Sequence, residues 1–207
     1  FSLNPRINAM GGAGVSIVDD LSAMRVNPAG LVAVPERQFS LNLGNDYHSG
    51  NPGTLFGADY LHPVKRFGTL GGYFQKNFSD GGSASAGVAY STVEKSMENF
   101  SWGAKLGTLS STTGASSYLD LTLGIMYRLK AYDFGFALDN IPNERRSFKF
   151  GVSTILLDDY LTAINFDING KLFLGVERGV YANLGRVRLG FNSRQESITF
   201  GFGSYLF

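Results

Sequence analysis

"YLDLTLGIMYRLK", residues 118–130, decides the fold. Leu119, Leu121, Leu123, Ile125, Tyr127 and Leu129 fall on one parity, and Asp120, Thr122, Gly124, Met126 and Arg128 on the other. Side chains alternate across a strand, so this segment reads as a β-strand with one large apolar face and one small, polar face. The rule repeats along the chain. Phe100, Trp102, Ala104 and Leu106 oppose Ser101, Gly103, Lys105 and Gly107. Tyr132, Phe134, Phe136 and Leu138 oppose Asp133, Gly135, Ala137 and Asp139, while Phe148, Phe150 and Val152 oppose Lys149, Gly151 and Ser153. Val187, Leu189 and Phe191 oppose Arg186, Arg188 and Gly190.

Composition says which face meets which solvent. The 207 residues carry 17% charged and 14% aromatic side chains with 27 Gly, a mixture suited to strands and turns. In a soluble sandwich the polar face would be rich in Lys, Glu and Thr. Here it is rich in Gly, Ser, Ala and Asn with scattered charges of both signs, which fits a crowded lumen, and the aromatic face fits lipid. Segments near 37–45, 54–63, 68–77, 83–92, 98–108, 117–129, 132–140, 147–156, 159–169, 171–180, 184–192 and 196–207 read as strands. The expected fold is all-β: an antiparallel transmembrane β-barrel of about 12 strands (12–14), an even count suiting closure. Turn residues separate the strands, as in "HSGNPG", "SDGG", "STTGASS", "IPNERR", "NGK" and "NSRQE", and none of these connections is long.

The first 35 residues read differently. "MGGAGVSIVDDLSAMRVNPAGLVAV", residues 10–34, has a glycine turn at Gly11 and Gly12, then Asp19 and Asp20 placed to cap a short helix over "LSAMRV". That helix must stop before Pro28. No Lys-Ser/Thr follows the glycines, so a phosphate loop is disfavoured. Adjacent carboxylates in a cap seldom aim at one point, which disfavours Asp19–Asp20 as an acid/base pair. Residues 1–35 are expected to form a hatch inside the barrel, and 36–207 the barrel wall. At the other end "ITFGFGSYLF" places Tyr205 and Phe207 on the opposite parity from Phe200 and Phe202, so a β-bulge is expected near Gly203–Ser204.

"GGAGVSIVDDLSAMRVNPAGL" resembles the N-terminal signature of FadL-type outer-membrane proteins. "FALDNIP", "SFKFGVST", "INFDIN", "FLGVERGV" and "VRLGFN" before "FGFGSYLF" are similar to the last half of the PorV-type branch of that superfamily. The resemblance implies a bacterial outer-membrane barrel with the N-terminal segment folded into its lumen, holding Asn27, Pro28 and Ala29. It implies Tyr205 and Phe207 as the terminal signal by which such barrels are assembled. It also implies one of two roles. PorV-type members serve protein secretion as carriers or docking platforms, whereas FadL-type members pass hydrophobic molecules, with gating by the hatch residues Gly11, Gly12, Asp19, Asp20, Asn27, Pro28 and Ala29. The lipid bilayer is the expected partner, with other envelope proteins or a hydrophobic ligand beside it.

By parity the lumen-facing charges are Asp59, Lys105, Asp120, Arg128, Asp133, Asp139, Lys149, Asp167, Glu177, Arg186 and Arg188. Interior charges must be compensated, so mutual pairing is expected. The apolar inward positions are few, with Met126, Ala137 and Phe173 the hints of any. A docking or structural barrel is therefore the favoured reading, and transport of a small hydrophobic or amphipathic molecule the alternative. The balance of 18 Lys+Arg against 17 Asp+Glu removes nucleic acid as a leading partner. With no Cys, and His48 and His62 isolated from other ligands, neither a metal nor a cofactor is expected. No nucleophile motif points to an enzyme.

Overall fold

A computed structural model describes residues 4–46, 53–78, 82–111, 117–140, 146–180 and 184–204. The strands are β1 (Gln38–Asp46), β2 (Gly53–Val64), β3 (Gly68–Asn77), β4 (Ser83–Val93), β5 (Phe100–Ser111) and β6 (Ser117–Arg128). They continue with β7 (Tyr132–Asp139), β8 (Ser147–Leu156), β9 (Tyr160–Asp167), β10 (Leu172–Val180), β11 (Gly185–Asn192) and β12 (Ser197–Ser204). All lie in one 12-stranded sheet in sequence order, every neighbouring pair antiparallel.

Parity sorts the two faces. Phe39, Leu41 and Leu43 on β1, Leu106 on β5, Leu123 and Ile125 on β6 and Ile198, Phe200 and Phe202 on β12 are all exposed on the outer wall. Among the described residues no helix is long and apolar enough to cross a membrane. Tyr60, Tyr90, Trp102, Tyr127, Tyr132 and Tyr160 sit on that wall towards the end where β1 begins and β12 ends. Rings with one apolar body and one polar tip belong at a membrane interface, and this rim carries them as a girdle. Tyr90 and Trp102 meet edge to face at 5.8 Å.

The N-terminal segment lies on the inner face. It holds helix α1 (Pro5–Ala9), helix α2 (Ala23–Val26) and a 3-10 helix (Pro28–Ala33), and its core residues Met10, Ala13, Val15, Val18, Met24 and Leu31 are fully buried. Sequence reading places a helix over residues 21–26 with Asp19 or Asp20 as cap. The helix instead starts at Ala23 behind Ser22, and Asp20 Oδ1 accepts from Ser22 N at 2.7 Å to hold the turn ahead of it. Neither α1, capped by Asn4 Oδ1 on Ile7 N at 2.8 Å, nor the 3-10 helix is visible to helical periodicity, because neither is longer than two turns.

One other expectation changes. Pairing runs unbroken from Ser197 to Ser204, so the described part of β12 contains no bulge, and Phe200 and Phe202 point outward on regular parity. Tyr205 and Phe207 lie outside the described residues, as do most of the turns "HSGNPG", "SDGG", "STTGASS" and "IPNERR". An even strand count suits closure, and among the described residues no hydrogen-bonded ladder joins β12 to β1.

Candidate functional site

The interior is built around glycines. Gly103, Gly124, Gly135, Gly151, Gly175 and Gly190 occupy inward positions of β5, β6, β7, β8, β10 and β11; an added Cβ would run into the N-terminal segment at all but Gly151, where it would meet the Asn165 side chain first and Val15 closely behind. Gly103 faces Pro28 and Ala29, and Gly124 faces Asn27 and Pro28. Gly135 and Gly151 face Val15, while Gly175 and Gly190 face Met10, with Gly11 also against Gly190. Where backbone must lie against backbone only glycine leaves room. Cross-strand register links these positions directly, Gly103 opposite Gly124, Gly135 opposite Gly151 and Gly175 opposite Gly190. The result is a belt of low wall on which the segment rests.

Asn27 of the segment is fully buried. Its Nδ2 donates to Val15 O at 2.9 Å and to Ile125 O on β6 at 3.2 Å, and its Oδ1 accepts from Ala29 N at 3.2 Å. Pro28 follows with no N–H to satisfy and a φ already set for the first helical position. Ala29 O then accepts from two wall hydroxyls, Ser91 Oγ and Ser101 Oγ, each at 3.0 Å. Because the two serines share one acceptor, Ser91→Ala or Ser101→Ala alone is expected to cost under about 1 kcal/mol. The double variant, which orphans a buried carbonyl, should cost about 1–3 kcal/mol, a non-additivity that a double-mutant cycle in urea would read. Asn165 on β9, with its amide oriented to satisfy both ends, accepts from Gly14 N at 2.7 Å and Val15 N at 2.9 Å.

Charges pair throughout. Arg6 of α1 forks onto Glu177 of β10, Nε to Oε2 at 3.0 Å and Nη2 to Oε1 at 3.2 Å. Arg188 Nε donates to the same Oε2 at 2.6 Å, and Arg186 Nη1 lies 3.7 Å from Oε1. Arg6 Nη1 also reaches Asp19 and, at 3.1 Å, Asp20. Three guanidiniums thus face three carboxylates. Burial works against the charge on Arg6, but Asp19, Asp20 and Glu177 outweigh it and hold its pKa above the ordinary guanidinium value. The adjacent carboxylates of Asp19 and Asp20 do converge on one point, against the expectation for a cap, because a buried arginine supplies that point.

On the other side of the belt, Arg25 of α2 donates to Asp59 Oδ1 at 2.5 Å and Gln75 Oε1 at 2.6 Å, and lies 4.7 Å over the Tyr73 ring. The second Asp59 oxygen accepts from Ser40 Oγ and Asn42 Nδ2. Lys105 pairs with Asp120 at 2.7 Å and Lys149 with Asp139 at 2.5 Å. Asp167 stands opposite Lys149 in register and accepts from Ser147 Oγ at 3.0 Å. Arg128 stands opposite Asp133, and both line a small cleft of about 90 Å³ with Ser16 and Asp19. Met126 and Ala137 are buried against the segment's core, and the Phe173 ring covers Gly12. Among the described residues no cluster of His, Asp or Glu is arranged to hold a metal ion.

Parity does not reach the partners that come from the segment, Arg6 and Arg25. Nor does it find Gln75, Ser91, Ser101 or Asn165. The available signal was the inward glycine repeated on six strands, which marks close approach of another backbone.

No family model matches the chain, and no curated protein matches it. Solved structures of outer-membrane barrels are among those that resemble it. One is the KdgM porin, at TM-score 0.51 and 12% identity, covering 83% of this chain and 99% of that one. Another is the KdgM porin in complex with disordered oligogalacturonate, at TM-score 0.50 and 11% identity, with the same coverage. At such identities the likeness shows the fold alone. What the likeness shows is the architecture, a 12-stranded antiparallel sheet with the fold of outer-membrane barrels, here with the chain's own N-terminal segment against its inner face.

Proposed function

We propose that this chain is a non-enzymatic structural or docking barrel of the bacterial outer membrane, serving an envelope or secretion assembly. One observation carries the reading: the N-terminal segment fills the interior with buried apolar side chains and touches the inner face from β2, through Arg25–Asp59, to β12, through Thr199 Oγ1 on Ala9 O. A barrel packed in this way offers its rim and outer wall to partners, while solute passage needs an unblocked path. The FadL/PorV-like motif around Asn27-Pro28-Ala29 supports the same assignment, since in this reading it is the lock of the hatch. An acidic-saccharide channel would need free lumen cations, whereas Arg6, Arg25, Lys105, Lys149 and Arg188 are all ion-paired.

A second reading, FadL-like passage of a small hydrophobic or amphipathic molecule, draws on a cleft of about 330 Å³ beside α1, lined by Ala9, Phe200 and Phe202 together with Arg188. Liposomes decide between the two. Proteoliposomes are expected to swell in small sugars, and to take up a fluorescent fatty acid, no faster than protein-free vesicles, while the barrel in native membrane extracts migrates at higher mass than the purified chain. Saturable uptake with no such mass difference contradicts the docking role. The Asn27→Ala/Pro28→Gly double variant removes the amide that bonds Val15 O, Ile125 O and Ala29 N. It is expected to loosen the segment by about 2–4 kcal/mol and to make the chain cleavable within residues 10–34 by limited proteolysis.

A further inference from the structure

We infer that the inner face of β5–β8 carries a binding site for a neutral saccharide, just past the glycine belt on the side away from the girdled rim. The site does not depend on the docking reading, because a sugar held there has not crossed the N-terminal segment.

The strands themselves assemble it. One inward position past Gly103 stands Lys105, past Gly124 come Thr122 and then Asp120, and past Gly151 stands Lys149, while Asp139 shares the inward parity of β7. Lys105 is opposite Thr122 in register, and the next step beyond the Leu123–Leu138 pair sets Thr122 beside Asp139, which faces Ser147 on β8. Two ion pairs frame this row, Lys105 Nζ on Asp120 Oδ2 at 2.7 Å and Lys149 Nζ on Asp139 Oδ2 at 2.5 Å. Each engages only one oxygen of its carboxylate. Asp120 Oδ1, Asp139 Oδ1 and the hydroxyl of Thr122 between them are buried with no hydrogen-bond partner. Thr122 is 0% exposed and Asp139 7%. Buried polar atoms are ordinarily satisfied, so three open oxygens at neighbouring inward positions mark a place for a partner from outside the chain. The row is within reach of one, since solvent touches the side chains of Asp120 and Lys149, and the broad, two-fold last torsion of Asp lets either oxygen turn to the lumen.

The open atoms define the ligand's chemistry. Carboxylate oxygens only accept, so the ligand must donate. A metal ion is disfavoured by the two ammonium groups, and among the described residues no acidic cluster is arranged to hold one. An anion would meet both carboxylates. A neutral ligand with several hydroxyls remains. Each Lys–Asp pair sets spare N–H groups beside a free oxygen, which is what one hydroxyl needs to accept and donate at once. Asp120 and Asp139 stand on the diagonal between β6 and β7, about 7–8 Å apart at Cα, so hydroxyls on two sides of one pyranose ring reach both carboxylates above Thr122. Tyr118 and Leu109, opposite one another further along the same parity and 47% and 44% exposed, offer the ring's C–H face an apolar wall.

Titration calorimetry of the whole chain in nanodiscs tests this, with maltotriose, cellotriose and chitotriose as neutral probes and trigalacturonate as the acidic counterpart. Wild type is expected to bind a neutral trisaccharide saturably, one per chain, and trigalacturonate about tenfold more weakly or not at all. Asp120→Asn and Asp139→Asn should each weaken neutral binding about tenfold, the loss of a hydrogen bond to a charged group. Thr122→Val should weaken it about threefold with a thermal midpoint at or above wild type, since it removes a buried hydroxyl that has no partner in the fold. Leu106→Ala, on the outer face of β5, should leave affinity unchanged. No saturable heat from any neutral probe would mean that water alone satisfies these oxygens, and would overturn the inference. Trigalacturonate bound as tightly as the neutral sugars, or wild-type affinity in Asp120→Asn, Asp139→Asn and Thr122→Val alike, would overturn it as well.

Discussion

In the Gly190→Val protein the N-terminal segment is expected to leave its seat. A Cβ at position 190 would overlap Gly11 N and the carbonyl carbon of Met10, which are backbone atoms and cannot rotate away. Ordinary overpacking of a core costs about 1–3 kcal/mol, and a clash with main chain on both sides of the contact belongs at or above the top of that range. Gly175, directly opposite in register, faces Met10 too, so the displaced segment finds no room one strand over. Gly72→Ala is the matched control, since its Cβ would meet nothing nearer than Gly87 O at 3.8 Å. The Gly190→Val barrel should lose roughly 10 °C or more of its midpoint against a shift of a degree or two for Gly72→Ala, and should expose residues 5–34 to protease. Equal midpoints and equal digestion for the two variants would show that the glycine belt does not seat the segment.

Glu177→Ala should have the next largest effect. Glu177 is 3% exposed and is shared by Arg6, Arg186 and Arg188. Removing one member of a buried ionic group leaves uncompensated charge, which costs about 3–5 kcal/mol. Here the guanidinium of Arg188 would stand in a nearly closed site, while Arg6 would keep Asp19 and Asp20. The expected result is a urea midpoint well below wild type, partly restored in Glu177→Ala/Arg188→Met, where the orphaned cation is gone as well. A Glu177→Ala protein as stable as wild type would mean that water reaches this cluster freely, and the dry interior would have to be abandoned.

Much of this was legible in the chain. Period-two alternation in "YLDLTLGIMYRLK" and its sister segments gives β6 as residues 117–129 where the structure has Ser117–Arg128, and gives β3 and β8 at their observed bounds. The wall could be read because each strand needs only its own parity. The interior could not, because its contacts join positions far apart. Arg6 meets Glu177, Asn27 meets Ile125, and Ala29 meets Ser91 and Ser101, and no local pattern encodes such pairs. Short helices such as α1 hide for a related reason: five residues held by an Asn4 cap and by docking on β11 and β12 carry too little periodicity to register.

Single-channel recording in planar lipid bilayers tests most directly whether this barrel is closed by its own N-terminal segment. Wild-type protein is expected to insert without producing steady conductance steps, and Gly190→Val, with the same wall and a displaced segment, to produce them. Stable ohmic steps from the wild type, unchanged in Gly190→Val, would contradict the account.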